Sequence, residues 1–255
     1  MKRIFLLVIL GIGLMSLTSQ SLALTIHLAG DSTMSIKDPK DYPETGWGVP
    51  FATFFADDVK VINYAKNGRS TRTFIEEGRW QTLMNNLQAG DYVFIQFGHN
   101  DESVKKKDRY TTPEQYKANL QRFIADVRQK QASPVLLSSI TRRYFKKGVI
   151  QPTHPYVPIV RDIAQADPSL AFIDMEQVTR DYFNALGDEL SAIRFMHIKA
   201  NLHPNYPNGV RDDTHLNQFG AREVAQLVLL QLKNSQHPLS QKLRVVDPKH
   251  LKLHY

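Results

Sequence analysis

The chain has 255 residues, 42% of them apolar and none of them cysteine, with 32 Lys and Arg against 25 Asp and Glu for a net charge of +7. That length and apolar content suit one globular domain with a large core, while the lack of cysteine excludes disulfide bracing and lipidation at cysteine, so the core alone must hold the fold. A basic exported protein can bind nucleic acid, anionic lipid or an acidic polysaccharide. No nucleic-acid motif is visible, and the basic runs Lys105–Lys107 and Arg142–Lys147 are short, the first reading as solvated surface.

The first segment, MKRIFLLVILGIGLMSLTSQSLA, has Lys2 and Arg3, then an apolar run from Phe5 to Met15, then the small residues Ser21 and Ala23. That is the pattern of a secretory signal cleaved after Ala23. The apolar run is about half the ~20 residues needed to span a bilayer, so no membrane attachment is expected after cleavage. Loss of Lys2 and Arg3 lowers the net charge from +7 to +5. Residues 24–255 are expected to form one exported, monomeric domain.

Strand-like runs follow: LTIHLAG from Leu24, VKVINYA from Val59, DYVFIQFG from Asp91, SPVLLSSI from Ser133 and LAFIDM from Leu170. They are apolar without clean alternation, as in strands covered on both faces. Helical periodicity lies between them. TPEQYKANLQRFIADVRQK offers Thr112 as N-cap, Pro113 at the first helical position, and Tyr116, Leu120, Phe123 and Val127 on one face. A further helix stops near Pro168, and LNQFGAREVAQLVLLQLKN reads as a long final helix. Repeated strand and helix predict a parallel sheet in a three-layer α/β/α sandwich. The polar tail after Asn234 is expected to wrap the surface.

Ligands in such sheets bind beyond the carboxyl ends of the strands. Four segments there carry chemistry. Ser32 follows the first strand, in LAGDSTMS; Gly68 follows the second, in NYAKNGRSTRTF; Asn100 follows the third, in QFGHND; and Asp212 and His215 lie in RDDTHLN, read as a loop before the last helix. A serine hydroxyl is a weak nucleophile until an imidazole accepts its proton. The imidazole needs an acid on its other nitrogen. Asp212 is three residues from His215, so one tight turn sets the carboxylate against the ring, whereas Asp213, two away, has the poorer spacing. The backbone N–H groups of Ser32 and Gly68, with the Asn100 amide, can supply an oxyanion hole. Each residue also has a plainer reading. Ser32 can cap a helix, Asn100 and Asp101 can form a turn, and Gly68 can serve a left-handed turn, a role compatible with the functional one. His99 reads as a structural hydrogen-bonding residue. His197 and His203, with Asp213, invite a metal reading, but their spacing is not a zinc pattern, and neither metal nor cofactor is called for. Trp47 and Trp80 read as partly buried, with sugar stacking as the alternative.

GDST, NGRS, GHND and DDTH occur in the order and rough spacing of the four blocks of the SGNH (GDSL-type) hydrolases, and the chain resembles that superfamily over nearly all of its length after the signal. GDSTMS, NGRSTRTFIEEGRW and TRRYF give it a closer similarity to the rhamnogalacturonan acetylesterases. The resemblance implies a flavodoxin-like fold with a central five-stranded parallel sheet, and the roles of block serine, glycine, asparagine and histidine for Ser32, Gly68, Asn100 and His215. The stretch between His154 and His203 and the C-terminal tail depart from the family pattern.

Lipases, lysophospholipases and thioesterases of the same superfamily need an apolar acyl groove. The loops here carry Arg69, Arg72, Arg142 and Arg143 instead, which suit carboxylates. Arg72 with Arg142 or Arg143 is expected to bind galacturonate. A non-catalytic polysaccharide-binding module would not need the serine, acid and histidine together. No Gly-x-Ser-x-Gly elbow of an α/β-hydrolase occurs, since GRSTR at Gly68 fails at its last position. The expectation is a serine esterase that removes acetyl groups from an acidic, pectic polysaccharide.

Overall fold

The structure, a computed structural model, describes residues 24–244. The expected signal segment and the last residues of the tail lie outside that range.

Five parallel strands make the central sheet: β1 (Leu24–Gly30), β2 (Val59–Asn63), β3 (Tyr92–Gln96), β4 (Ser133–Leu137) and β7 (Ala171–Ile173), in the order β2-β1-β3-β4-β7. The strand order reverses at β1, with β2 on one side and β3 on the other. A crevice therefore opens above the carboxyl ends of β1 and β3, where Gly30 pairs with Gln96. The helices are α1 (Gly48–Phe51), α2 (Thr71–Glu76), α3 (Arg79–Asn86), α4 (Pro113–Gln129), α5 (Val157–Ala166), α6 (Met175–Ala192) and α7 (Gln218–Asn234). A small hairpin, β5 (Phe145–Lys146) and β6 (Val149–Ile150), and an antiparallel ribbon, β8 (Phe195–Ile198) and β9 (Val210–Leu216), complete the fold.

The continuous apolar runs have a simple cause. Successive strand residues face opposite sides, and both sides are covered. In β3, Phe94 packs in one layer with Trp47, Phe51, Phe183, Val224 and Val228. Its neighbours Val93 and Ile95 pack in the other with Phe74, Trp80, Leu120 and Phe123. The α4 reading holds in detail: Thr112 and Gln115 form a reciprocal capping box, Pro113 starts the helix, and Tyr116, Leu120, Phe123 and Val127 are buried. The described part of the tail packs down, with Leu239 buried and Leu243 bridging Phe55.

Both tryptophans correct the sequence reading. Trp47 is 0% exposed and Trp80 2%, so neither stacks on a sugar. Each indole N–H is satisfied internally, Trp47 by Gln96 Oε1 at 2.7 Å and Trp80 by Asp126 Oδ2 at 2.8 Å. The stretch from His154 to His203 holds α5, β7, α6 and β8, with a break at Gly187 (φ +76°) inside α6.

Candidate active site

Beyond β1 the chain closes into one tight turn. Asp31 Oδ1 accepts from the Thr33 N–H at 2.9 Å and the Thr33 hydroxyl at 2.8 Å, and the Asp31 carbonyl accepts from the N–H groups of Met34 and Ser35. Gly30 starts the turn because a Cβ there would lie 2.8 Å from the Gln96 carbonyl oxygen and 2.9 Å from Met34 Sδ. Ser32 thus sits fixed above the β1–β3 crevice, 8% exposed.

His215 reaches it from the far end of the chain. Its Nε2 lies 2.9 Å from Ser32 Oγ, and its Nδ1 lies 2.7 Å from Asp212 Oδ2. A carboxylate only accepts, so Nδ1 carries the proton and Nε2 is left to accept from the serine hydroxyl. Burial alone would raise the Asp212 carboxyl. The bond to His215 and the N–H groups of Thr214 and His215 outweigh that and hold it below the usual carboxylate range.

These residues stand at the end of a strand, not in the free loop expected. Met196 pairs with Asp212 and Phe195 with Leu216, so Asp213, Thr214 and His215 bulge from the β8–β9 ladder. The bulge is the tight turn that the three-residue spacing required. Asp213 belongs elsewhere: its Oδ1 accepts from Arg143 Nη1 at 2.7 Å and lies 2.8 Å from His197 Nε2. His203 packs against Tyr42, the rings tilted at 45° with centroids 5.6 Å apart.

Three donor groups lie in the loops that follow β1, β2 and β3. Asn100 Nδ2 gives one hydrogen to the Arg69 carbonyl at 3.1 Å and keeps its second free. Among the described residues, the N–H groups of Ser32 and Gly68 have no backbone acceptor. Gly68 is glycine because its φ is +75°, and the tip of the flexible Arg109 side chain lies over it. Two residues on, Ser70 caps α2 reciprocally with Thr73, which fixes the end of the Gly68 loop. Behind Asn100, His99 is buried with Nδ1 3.3 Å from Asp31 Oδ2. Burial, with the neighbouring His154, pushes it down to about 4, so it is neutral at pH 7.

The arginines correct the sequence reading in part. Arg143 is 7% exposed and holds Asp213, Ser191 and the Asp188 backbone and side chain. Arg72 pairs with Glu76 and donates to the carbonyls of Lys107, Asp108 and Tyr110, so it ties down the loop before α4. Both guanidiniums are engaged within the fold, because the acceptors that claim them are brought in from distant segments. Arg142 does lie at the site: Nη1 donates to the Thr214 hydroxyl at 2.5 Å, and its side chain is 31% exposed. Arg109, against Gly68, was not singled out by the sequence, since nothing local to its loop marks that contact.

Residues 28–222 match the GDSL-like Lipase/Acylhydrolase family. The rhamnogalacturonan acetylesterase RhgT of Bacillus subtilis (strain 168) is 40% identical over 204 residues, covering 80% of this chain and 87% of that protein. The rhamnogalacturonan acetylesterase of Emericella nidulans is 30% identical over 237 residues, covering 84% of this chain and 87% of that protein. Among solved structures, the protein YXIM of Bacillus subtilis is similar in fold, with a TM-score of 0.72 at 24% identity over 84% of this chain and 57% of that one.

Proposed function

The chain belongs to the GDSL-like lipase/acylhydrolase family and is a carboxylic ester hydrolase, and we propose that it removes acetyl groups from a pectic polysaccharide of the rhamnogalacturonan type through an acyl-enzyme on Ser32. The observation that carries the mechanism is the linear relay Ser32 Oγ–His215 Nε2 at 2.9 Å and His215 Nδ1–Asp212 Oδ2 at 2.7 Å.

Ser32 Oγ attacks the acetyl carbonyl carbon as its proton passes to His215 Nε2. Asp212 stabilises the imidazolium. The carbonyl oxygen, now an oxyanion, takes hydrogen bonds from the Ser32 and Gly68 N–H groups and from Asn100 Nδ2. Collapse breaks the bond to the sugar oxygen, which takes the proton from His215 and leaves as the sugar hydroxyl. Water, activated by the same imidazole, then releases acetate and restores Ser32.

The substrate class is supported by the named acetylesterase relatives and by one cationic side chain at the site edge: Arg142 bonds to Thr214, the residue before His215, whereas Arg109, against Gly68, is already paired with Asp108. Guanidiniums bind carboxylates well when partly desolvated. The signal-like pattern of residues 1–23 supports the reading of an exported protein.

Acetate release from acetylated rhamnogalacturonan, homogalacturonan and xylan, beside p-nitrophenyl esters of increasing acyl length, tests the reading. Fastest release from rhamnogalacturonan, with rates falling as the acyl chain lengthens, is expected. Preference for long acyl chains would reassign the chain to the lipase side of its family.

A further inference from the structure

Lys37 takes no part in the steps above, yet its side chain is only 5% exposed beside the site. Its ammonium has three hydrogens and meets three acceptors: the Ser32 carbonyl oxygen at 2.5 Å, Asn67 Oδ1 at 2.9 Å and Glu44 Oε1 at 2.6 Å. A buried ammonium is costly unless its donors are satisfied, and here all three are.

The acceptors belong to three separate parts of the site. Ser32 is the proposed nucleophile itself. Asn67 immediately precedes Gly68, and its Oδ1 also accepts from Ser35 Oγ at 2.5 Å, a second tie to the Ser32 turn. Glu44 forms an antiparallel bridge with Asn217, and the Thr45 N–H donates to the Leu216 carbonyl at 2.9 Å, next to His215. One charge therefore joins the nucleophile turn, the oxyanion loop and the strand that carries the imidazole. A compact ammonium suits three converging acceptors, whereas a planar guanidinium directs its donors into one plane.

We infer that Lys37 is a positioning residue that holds Ser32, Gly68 and His215 at their working distances. Acyl transfer is sensitive to such distances, and a displacement of about 1 Å can cost ~10²-fold in rate. The inference rests on Ser32 being the nucleophile. It differs from a merely stabilising role because it places the effect on turnover.

The test uses p-nitrophenyl acetate with Lys37→Met, the double variant Lys37→Met with Glu44→Gln, and Lys37→Cys. Met keeps the stem and removes the charge; Gln relieves the carboxylate left without a partner. The chain has no cysteine of its own, so the single thiol of the Lys37→Cys variant can be alkylated with 2-bromoethylamine in denaturant and the protein refolded, which rebuilds an ammonium of lysine length. Lys37→Met should lower kcat by about 10–100-fold with KM within about threefold. Glu44→Gln should restore thermal stability to that variant without restoring kcat. Aminoethylation of Lys37→Cys should recover most of the lost turnover. Wild-type kcat in the folded double variant, or a change confined to KM, would overturn the inference, and so would aminoethylated protein that regains its melting temperature but not its rate. Ser32→Ala run alongside separates the two claims: if it stays active, the nucleophile assignment fails, whatever Lys37 does.

Discussion

His215 Nε2 lies 2.9 Å from Ser32 Oγ across 183 residues of sequence. Neither side chain is free to drift from that distance. Ser32 rides on a turn locked by Asp31, and His215 stands in a bulge whose ends are paired to β8. The two are referenced to each other through the 44–47 segment, which bonds the His215 strand through Thr45–Leu216 and the Glu44–Asn217 bridge and the Ser32 turn through the Trp47 N–H to the Thr33 carbonyl. Preorganisation of this kind lets a serine act without reorganising the protein at each turnover.

The two neighbouring acids should separate cleanly. Asp212→Asn removes the acceptor that fixes the His215 tautomer, and should lower kcat by roughly 10³–10⁴-fold with the melting temperature little changed. Asp213→Asn weakens the contacts to Arg143 and His197 instead, and should cost roughly 1–3 kcal/mol of stability while most turnover remains. Kinetics and thermal melts of both variants decide the matter. A larger kinetic loss at Asp213 would mean that the relay runs through the wrong carboxylate.

Asn100→Ala should lower kcat by about 10²–10³-fold and leave KM nearly constant, because the free Nδ2 hydrogen is used only once negative charge has formed on the acetyl oxygen. Steady-state kinetics on p-nitrophenyl acetate reads this. A rise in KM alone would make Asn100 a ground-state binder.

Asp101 gives a pH signature. Burial pushes its carboxyl up to about 7, against the opposing Thr71 bonds to its Oδ1. In the unfolded chain it titrates near ~3.9. Between those values the native state holds a proton that the unfolded state has lost, so stability falls as pH rises, by up to about 1.4 kcal/mol per pH unit, and levels off above about 7. Asp101→Asn lacks this titration. Its melting temperature relative to wild type should therefore climb from about pH 4 to 7 and then stay flat. A difference constant across that range would contradict the assignment.

The arginines should divide by what they touch. Arg142→Ala should lower kcat/KM on acetylated rhamnogalacturonan about 3–10-fold more than on p-nitrophenyl acetate, and added salt should shrink that gap. Arg72→Ala should act on both substrates alike, through the loop it braces. Equal losses on both substrates for Arg142→Ala would remove the support it lends to an acidic substrate.

Much of this site was legible because its residues follow strands that announce themselves. LTIHLAG, VKVINYA and DYVFIQFG are short runs rich in branched and aromatic apolar residues, so Ser32, Gly68 and Asn100 could be placed at one sheet edge from the sequence. The β8–β9 ribbon was not legible. VRDDTHL is polar along most of its length, and its pairing partner lies across a loop, so no local period marks it. Arg143 misled for a related reason: a cation in a loop looks free until Asp188 and Asp213 are brought to it from 45 and 70 residues away. Lys37 is similar, a single lysine whose acceptors converge only in the folded chain.

The central claim is that Ser32 is the nucleophile, and the direct measurement is acetate release from acetylated rhamnogalacturonan by Ser32→Ala beside the wild type, with intact folding checked by a thermal melt. The expected result is a folded variant whose turnover is lower by about 10⁴-fold or more, with no acetyl-enzyme detected by mass spectrometry after rapid acid quench, while quenched wild type carries one acetyl group on Ser32. Near-normal acetate release by folded Ser32→Ala would contradict it.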